Sequence, residues 1–217
     1  MKKILVIVLA KEDQTYSKMQ KAIRETWGKP EYVPNNITLK FNYGELYRGQ
    51  TEVIDEGDSI FVNCEDIFQH LTLKTLECFR YVLKQYDFDY VFRCCNGSYV
   101  NLDRLNEWVN TNADTNVYSG INGFYHNVHY CSGSGYLISK DIISKIVNIQ
   151  PVNYNEIDDI EIGRLVKLAG KDLDNNARRY DIEVNVPFHF TDNTHYHYHI
   201  MNKAENMYNI HNKLNRI

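Results

Sequence analysis

No run of this chain approaches the ~20 apolar residues that cross a bilayer. The apolar stretch Ile4 to Ala10 is far shorter, and Lys11, Glu12 and Asp13 follow at once. It has no small-residue cleavage site, so it reads as a buried strand and not as a signal peptide or anchor. Excess positive charge is also missing. The net charge is -4, which gives no general pull toward nucleic acid or acidic membranes. The five cysteines (64, 78, 94, 95 and 131) are odd in number and lack zinc-type spacing. Reduced thiols are expected, and with no leader or anchor in view the expected location is cytoplasmic, unless the chain is a domain excised from a longer polypeptide. Neither GxGxxG nor GxxxxGKS occurs, which removes support for dinucleotide and P-loop readings. With no internal repeat or low-complexity linker, residues 1–217 are expected to form one domain.

What is present alternates between strand and helix patterns. Lys3 to Leu9 is a β-branched run suited to a parallel strand buried on both faces. Thr15 to Trp27 predicts a helix with Met19, Ile23 and Trp27 on one stripe. Thr38–Tyr43 and Ser59–Asn63 read as strands, with a polar loop over Glu45–Gly57. Thr72–Tyr86 is the strongest helix. Asp89–Arg93 is a strand leading into a tight turn, after which Asn101 or Asp103 caps a helix reaching Val109. Val117–Gly120 and Tyr136–Ile138 read as strands around a Gly-, His- and Tyr-rich loop. Ser139 is expected to cap a helix over Lys140–Ile149, and Gly170 to stop a helix over Glu156–Ala169. Ile182–Val186 reads as a late strand, and Lys203–Leu214 as a closing helix. This alternation predicts an α/β sheet that binds ligands at its strand C-terminal ends.

Several groups could carry chemistry. Asp158, Asp159 and Glu161 open a helix, where the dipole alone accounts for acids; Asp159 could instead be a general base projecting into a cleft. Ser132, Gly133, Ser134 and Gly135 follow Cys131 in a small-residue turn, either an ordinary hairpin turn or a place where backbone approaches a ligand. His195, His197 and His199 alternate near His189; one could be a metal ligand, whereas a full tri-His zinc site is not expected. Arg24 and Lys74 are surface charges or partners of a nucleotide diphosphate.

Six stretches, taken in order, resemble the β-1,3-galactosyltransferase and Fringe family of glycosyltransferases. AIRETWG (Ala22–Gly28) matches its opening motif, and DIFQHLTLKT (Asp66–Thr75) resembles "D-x-Y-x-N-L-T-L-K-T". YVFRCCNGSYVNLDRL (Tyr90–Leu105) resembles the stretch holding "K-x-D-D-D-x-F-V-N". YCSGSGYLIS (Tyr130–Ser139) matches "Y-C-S-G-G-G-Y-V-L-S", and DDIEIG (Asp158–Gly163) resembles "E-D-V-Y-V-G". The segment from Thr194 to Leu214 loosely resembles the family's tail.

The resemblance implies a GT-A-like fold, with a mixed central sheet flanked by helices. It implies a UDP-sugar donor, a glycan or glycoconjugate acceptor and inversion at the anomeric carbon. Asp159 falls on the family's base. The donor site would involve Ala10, Arg24, Lys74, Arg93, Cys95, Asn96 and Gly97, with Ser132 to Gly135 and Asp158 near the donor sugar and acceptor. The family's ion, Mn2+ or Mg2+, would use an acidic triplet and a late His that falls on His199 or within two residues of it. Here the triplet reads Cys95, Asn96 and Gly97. Gly has no ligand atom, Asn offers a neutral oxygen, and Cys is soft. Three outcomes stay open: metal-independent transfer with the diphosphate neutralised by Arg24, Arg93, Lys74 or His199; a weakened ion held by His199 and the donor phosphates; or a nucleotide-sugar- or glycan-binding relic without turnover.

Overall fold

The computed structural model describes residues 1–46, 53–112, 115–174, 179–181, 195–200 and 203–214. The polypeptide runs β1 (Ile4–Leu9), α1 (Gln14–Glu25), β2 (Ile37–Gly44), β3 (Ile54–Glu56), β4 (Ser59–Val62), α2 (Leu71–Gln85), β5 (Tyr90–Cys95), β6 (Ser98–Val100) and α3 (Leu102–Asn112). It continues with β7 (Tyr118–Tyr125), β8 (Val128–Ser139), α4 (Lys140–Ile146), α5 (Asp158–Leu168), β9 (Arg179–Asp181), β10 (His197–His199) and α6 (Ala204–Leu214).

Seven strands form one sheet in the order β3-β4-β2-β1-β5-β8-β7. The middle four, β4 to β5, are parallel; β3, β8 and β7 each run antiparallel to an inner neighbour. A smaller sheet has the order β6-β10-β9. This mixed sheet flanked by helices is the GT-A-like architecture that the motifs implied.

Period-two burial assigns the two faces. Every residue of β1 is buried. Ile4, Val6 and Val8 pack with Met19, Ala22 and Ile23 of α1, Leu105 and Val109 of α3, and Met207 and Ile210 of α6. Leu5 and Ile7 join the opposite cluster, with Leu76, Phe79 and Val82 of α2 and Ile162 and Leu165 of α5. Each fully buried Val, Leu, Ile, Phe or Met among them contributes roughly 1.5–3 kcal/mol. The α1 terminus is fixed by Asp13, whose carboxylate accepts from the Thr15 and Tyr16 amides at 2.9 and 2.8 Å. Asn101 caps α3, accepting from the Arg104 amide at 3.0 Å. Gly170, at φ 83, stops the chain after α5.

Four expectations change. The span read as a loop over Glu45–Gly57 contains β3, a polar strand. Asp55 in it is held by Lys40 Nζ at 2.6 Å and by the hydroxyls of Tyr81 and Tyr86. Between the turn after β5 and α3 the chain inserts β6, which pairs antiparallel with β10. The Gly-, His- and Tyr-rich loop is a long hairpin, β7–β8, turned by His126 and Asn127 at φ 47 and 60. Ser139 stands before α4 but does not cap it; its hydroxyl accepts from the Val117 amide at 2.9 Å. The late strand Ile182–Val186 and His189 lie outside the described residues.

Candidate active site

A cavity of about 390 Å³ opens at the C-terminal ends of β1 and β5, where an α/β sheet holds its ligands. Four parts of the chain converge there: Leu9 to Lys11 at the end of β1, Asp66 and Lys74 before and within α2, the turn Cys95–Asn96–Gly97 with His199 beside it, and Gly133 with Asp158 and Asp159 at the start of α5.

The α5 corner is a network around one guanidinium. Arg93 is buried on β5. Its Nη2 donates to Asp158, its Nη1 donates to the Gly133 carbonyl at 2.6 Å, and Nη1 lies 3.7 Å from Asp159 Oδ1. The Gly133 amide in turn donates to Asp159 Oδ2 at 2.6 Å. Burial works against the charge on Arg93, but Asp158, then Tyr136 and Asp159, outweigh it and hold the guanidinium protonated. Asp158 is as enclosed as Arg93, each side chain retaining 3% exposure, while Asp159 keeps 23% and meets the cavity. Burial pushes the Asp159 carboxyl above its ordinary value; Arg93 opposes that push, Asp158 adds to it, and the Gly133 N–H opposes it. The two neighbouring acids thus differ in environment. One is neutralised by an ion pair; the other is a cavity-facing carboxylate with raised basicity, the property of a general base.

The glycines of this region make room for side chains. A Cβ on Gly133 would lie 2.1 Å from Asp159 Oδ1 and 2.5 Å from Arg93 Nη1. A Cβ on Gly135 would lie 2.5 Å from His197 Cε1. Cys131 to Gly135 is therefore not a turn before a strand but part of β8, with backbone left bare where Asp159, Arg93 and His197 must pass.

The turn after β5 is built differently. Cys95 Sγ lies 3.6 Å from Ser98 Oγ, and Asn96 is buried with no hydrogen-bond partner for its Oδ1 among the described residues. With His199 these groups offer a thiol, one neutral oxygen and an imidazole, and no carboxylate. That donor set does not fit Mn2+ or Mg2+, which prefer several oxygen ligands with negative charge. No group of three or more His, Cys, Asp or Glu side chains suited to a metal occurs among the described residues.

The sequence-derived site residues separate into two sets. Ala10, Lys74, Arg93, Cys95, Asn96, Gly97, Gly133, Asp158, Asp159 and His199 all line the cavity. Lys74 does so with its Nζ bound to the Ala10 carbonyl at 2.9 Å and to Asp66 at 2.6 Å. Arg24 does not line it: its guanidinium pairs with Asp58 at 2.7 Å and stacks 3.9 Å from the Phe41 ring centroid. Ser132, Ser134 and Gly135 also lie outside the lining. The Ser134 carbonyl accepts from Ser98 Oγ at 2.5 Å. Of the alternating histidines, His197 turns into the core, 3.0 Å from Ser98 Oγ and edge-on to Phe92, and only His199 reaches the cavity. Lys11, Tyr16 and Asp66 were missed as site residues. Asp66 stood inside a quoted motif, eight residues before its partner Lys74; Lys11 registered only as the charge that ends the first strand.

Residues 18–123 match the family model described as Galactosyltransferase. The chain is 25% identical over 205 residues to the UDP-GalNAc:beta-1,3-N-acetylgalactosaminyltransferase 1 of Rattus norvegicus, covering 77% of this chain and 61% of that protein. It is 24% identical over 189 residues to the protein of the same name from Homo sapiens, covering 70% and 57%. Against the Beta-1,3-galactosyltransferase 5 of Homo sapiens it is 25% identical over 191 residues, covering 74% and 61%. The chain thus spans about three fifths of the length of these relatives. Together with the ordered motifs, the matches make the chain similar to proteins named β-1,3-galactosyltransferases and β-1,3-N-acetylgalactosaminyltransferases.

Proposed function

We propose that this chain is an inverting glycosyltransferase that moves a hexosyl or N-acetylhexosaminyl unit from a UDP-sugar to a hydroxyl of a glycan acceptor. The observation that carries the reading is Asp159, a cavity-facing carboxylate held in place by the Gly133 amide and beside Arg93. The names of the relatives supply the substrate class.

In this reading the Asp159 carboxylate accepts the proton of an acceptor hydroxyl while that oxygen attacks the anomeric carbon. The new C–O bond forms as the bond from that carbon to the diphosphate oxygen breaks. UDP leaves with the electron pair, and a single displacement inverts the centre. Arg93 and Asp158 hold the base and do not bind the donor, because both are enclosed and paired. The thiol and neutral amide oxygen of the Cys95–Gly97 turn do not suit a divalent ion, so the diphosphate charge is met by protein cations instead.

Product formation with a panel of UDP-sugars and glycan acceptors tests the reading. Asp159→Asn should lower turnover by about 10²–10⁴-fold, the usual weight of a general base, while sparing UDP binding. Unchanged turnover in that variant would reject the role. A second reading, a nucleotide-sugar- or glycan-binding protein without turnover, is favoured by the uncharged turn. It predicts UDP binding with no product from any donor, and indifference to Asp159→Asn.

A further inference from the structure

We infer that Lys11 supplies the positive charge that a diphosphate needs at this cavity, in the place where a divalent ion does not fit; the inference rests on the UDP-sugar reading above. Three cationic side chains other than histidine line the cavity: Lys11, Lys74 and Arg93. Two are already neutralised. Lys74 is buried against Asp66 and the Ala10 carbonyl, and Arg93 is buried against Asp158 with Asp159 nearby. Moving Arg93 onto a phosphate would strand the buried Asp158 carboxylate, and moving Lys74 would strand the largely enclosed Asp66. Lys11 is exposed, and its ammonium makes no ion pair or hydrogen bond with the described residues. Of the acids that follow it, Asp13 is engaged as the cap of α1.

Register puts this ammonium beside the turn in question. Leu9 of β1 pairs with Cys95 of β5, so Ala10 and Lys11 continue along the same edge as Asn96 and Gly97. All four residues line one cavity. A lysine is a compact, mobile donor of three hydrogen bonds, suited to phosphate oxygens as a point charge. The turn contributes no repelling carboxylate against the diphosphate, and the lysine contributes the attraction. A cavity with carboxylates at 95–97 would need a metal between protein and phosphate; this one needs only a cation of its own.

Calorimetric titration with uridine, UMP and UDP, in EDTA, reads this directly on wild type, Lys11→Gln and Lys11→Arg. Wild type should bind UDP more tightly than uridine without metal. Lys11→Gln should lose about tenfold of UDP affinity, the effect of one charge-assisted hydrogen bond, and leave uridine affinity unchanged. Lys11→Arg should restore UDP binding. Equal UDP affinity in wild type and Lys11→Gln would overturn the role of Lys11 while leaving the transferase reading in place. So would a wild type that binds UDP only when Mn2+ is added. Absence of UDP binding under every condition, with or without Mn2+, would overturn the transferase reading itself.

Discussion

The α5 corner of the cavity and the turn after β5 share one edge of the large sheet, yet they are built on opposite terms. At α5, two carboxylates, a guanidinium and a bare glycine backbone constrain one another through several short contacts. At Cys95–Gly97 there is no charge, and the buried Asn96 oxygen is unsatisfied among the described residues. In the proposed reading Asp159 is a base that must be held to a fraction of an ångström, and its surroundings are accordingly over-determined. If the turn after β5 faces the donor phosphates, as proposed, it needs only charge from nearby, and a neighbouring strand end can supply it. The contrast explains how one corner could keep its chemistry while the other has none of the acids that its motif context leads one to expect.

Arg93 carries most of the α5 corner. Arg93→Met leaves Asp158 buried and unpaired, and chemical denaturation should show a loss of about 3–5 kcal/mol. A loss within the range of ordinary surface substitutions would mean that the network is not what organises this corner. Gly133→Ala should separate geometry from stability. Its methyl would crowd the ends of the Asp159 and Arg93 side chains, so turnover should fall by about 10²-fold with a smaller loss of stability than in Arg93→Met, because Asp158 keeps its partner. A loss of stability equal to that of Arg93→Met would make Gly133 a folding residue alone.

Acidity gives a gentler test. The raised Asp159 carboxyl must be ionised to act as a base, so kcat/KM should rise with pH along a limb lying above the ordinary carboxylate range. Arg93 holds that value down. In Arg93→Lys, where the contacts are looser, the limb should move to still higher pH. A limb that stays put, or moves down, would sever Arg93 from Asp159. No such limb is expected to report on the turn after β5, which carries no carboxylate.

Much of this was readable in the chain because it rests on local pattern. The β-branched run of β1 and the helical stripe of α2 fix their elements by burial periodicity, and the acids of α5 announce a helix start. Glycine misled where its reason is tertiary. Gly133 and Gly135 read as a turn, yet each sits in β8 because a side chain from α5 or β10 crosses its backbone. β3 was hidden by its polar residues, since Asp55 is held by Lys40, Tyr81 and Tyr86 from elements far along the chain. Arg24 was misplaced for the same reason: its partner Asp58 is brought to it only by the pairing of β2 with β4. Lys11 was invisible as a site residue because its significance lies in what Lys74 and Arg93 are already bound to.

Turnover of a UDP-sugar in the presence of EDTA, measured side by side for wild type and Asp159→Asn, separates metal-free transfer by Asp159 from the alternatives. Wild type should transfer sugar without added metal, and Asp159→Asn should lose that transfer while still binding UDP. Wild-type turnover that disappears in EDTA and returns with Mn2+, or an Asp159→Asn enzyme as fast as wild type, would contradict it.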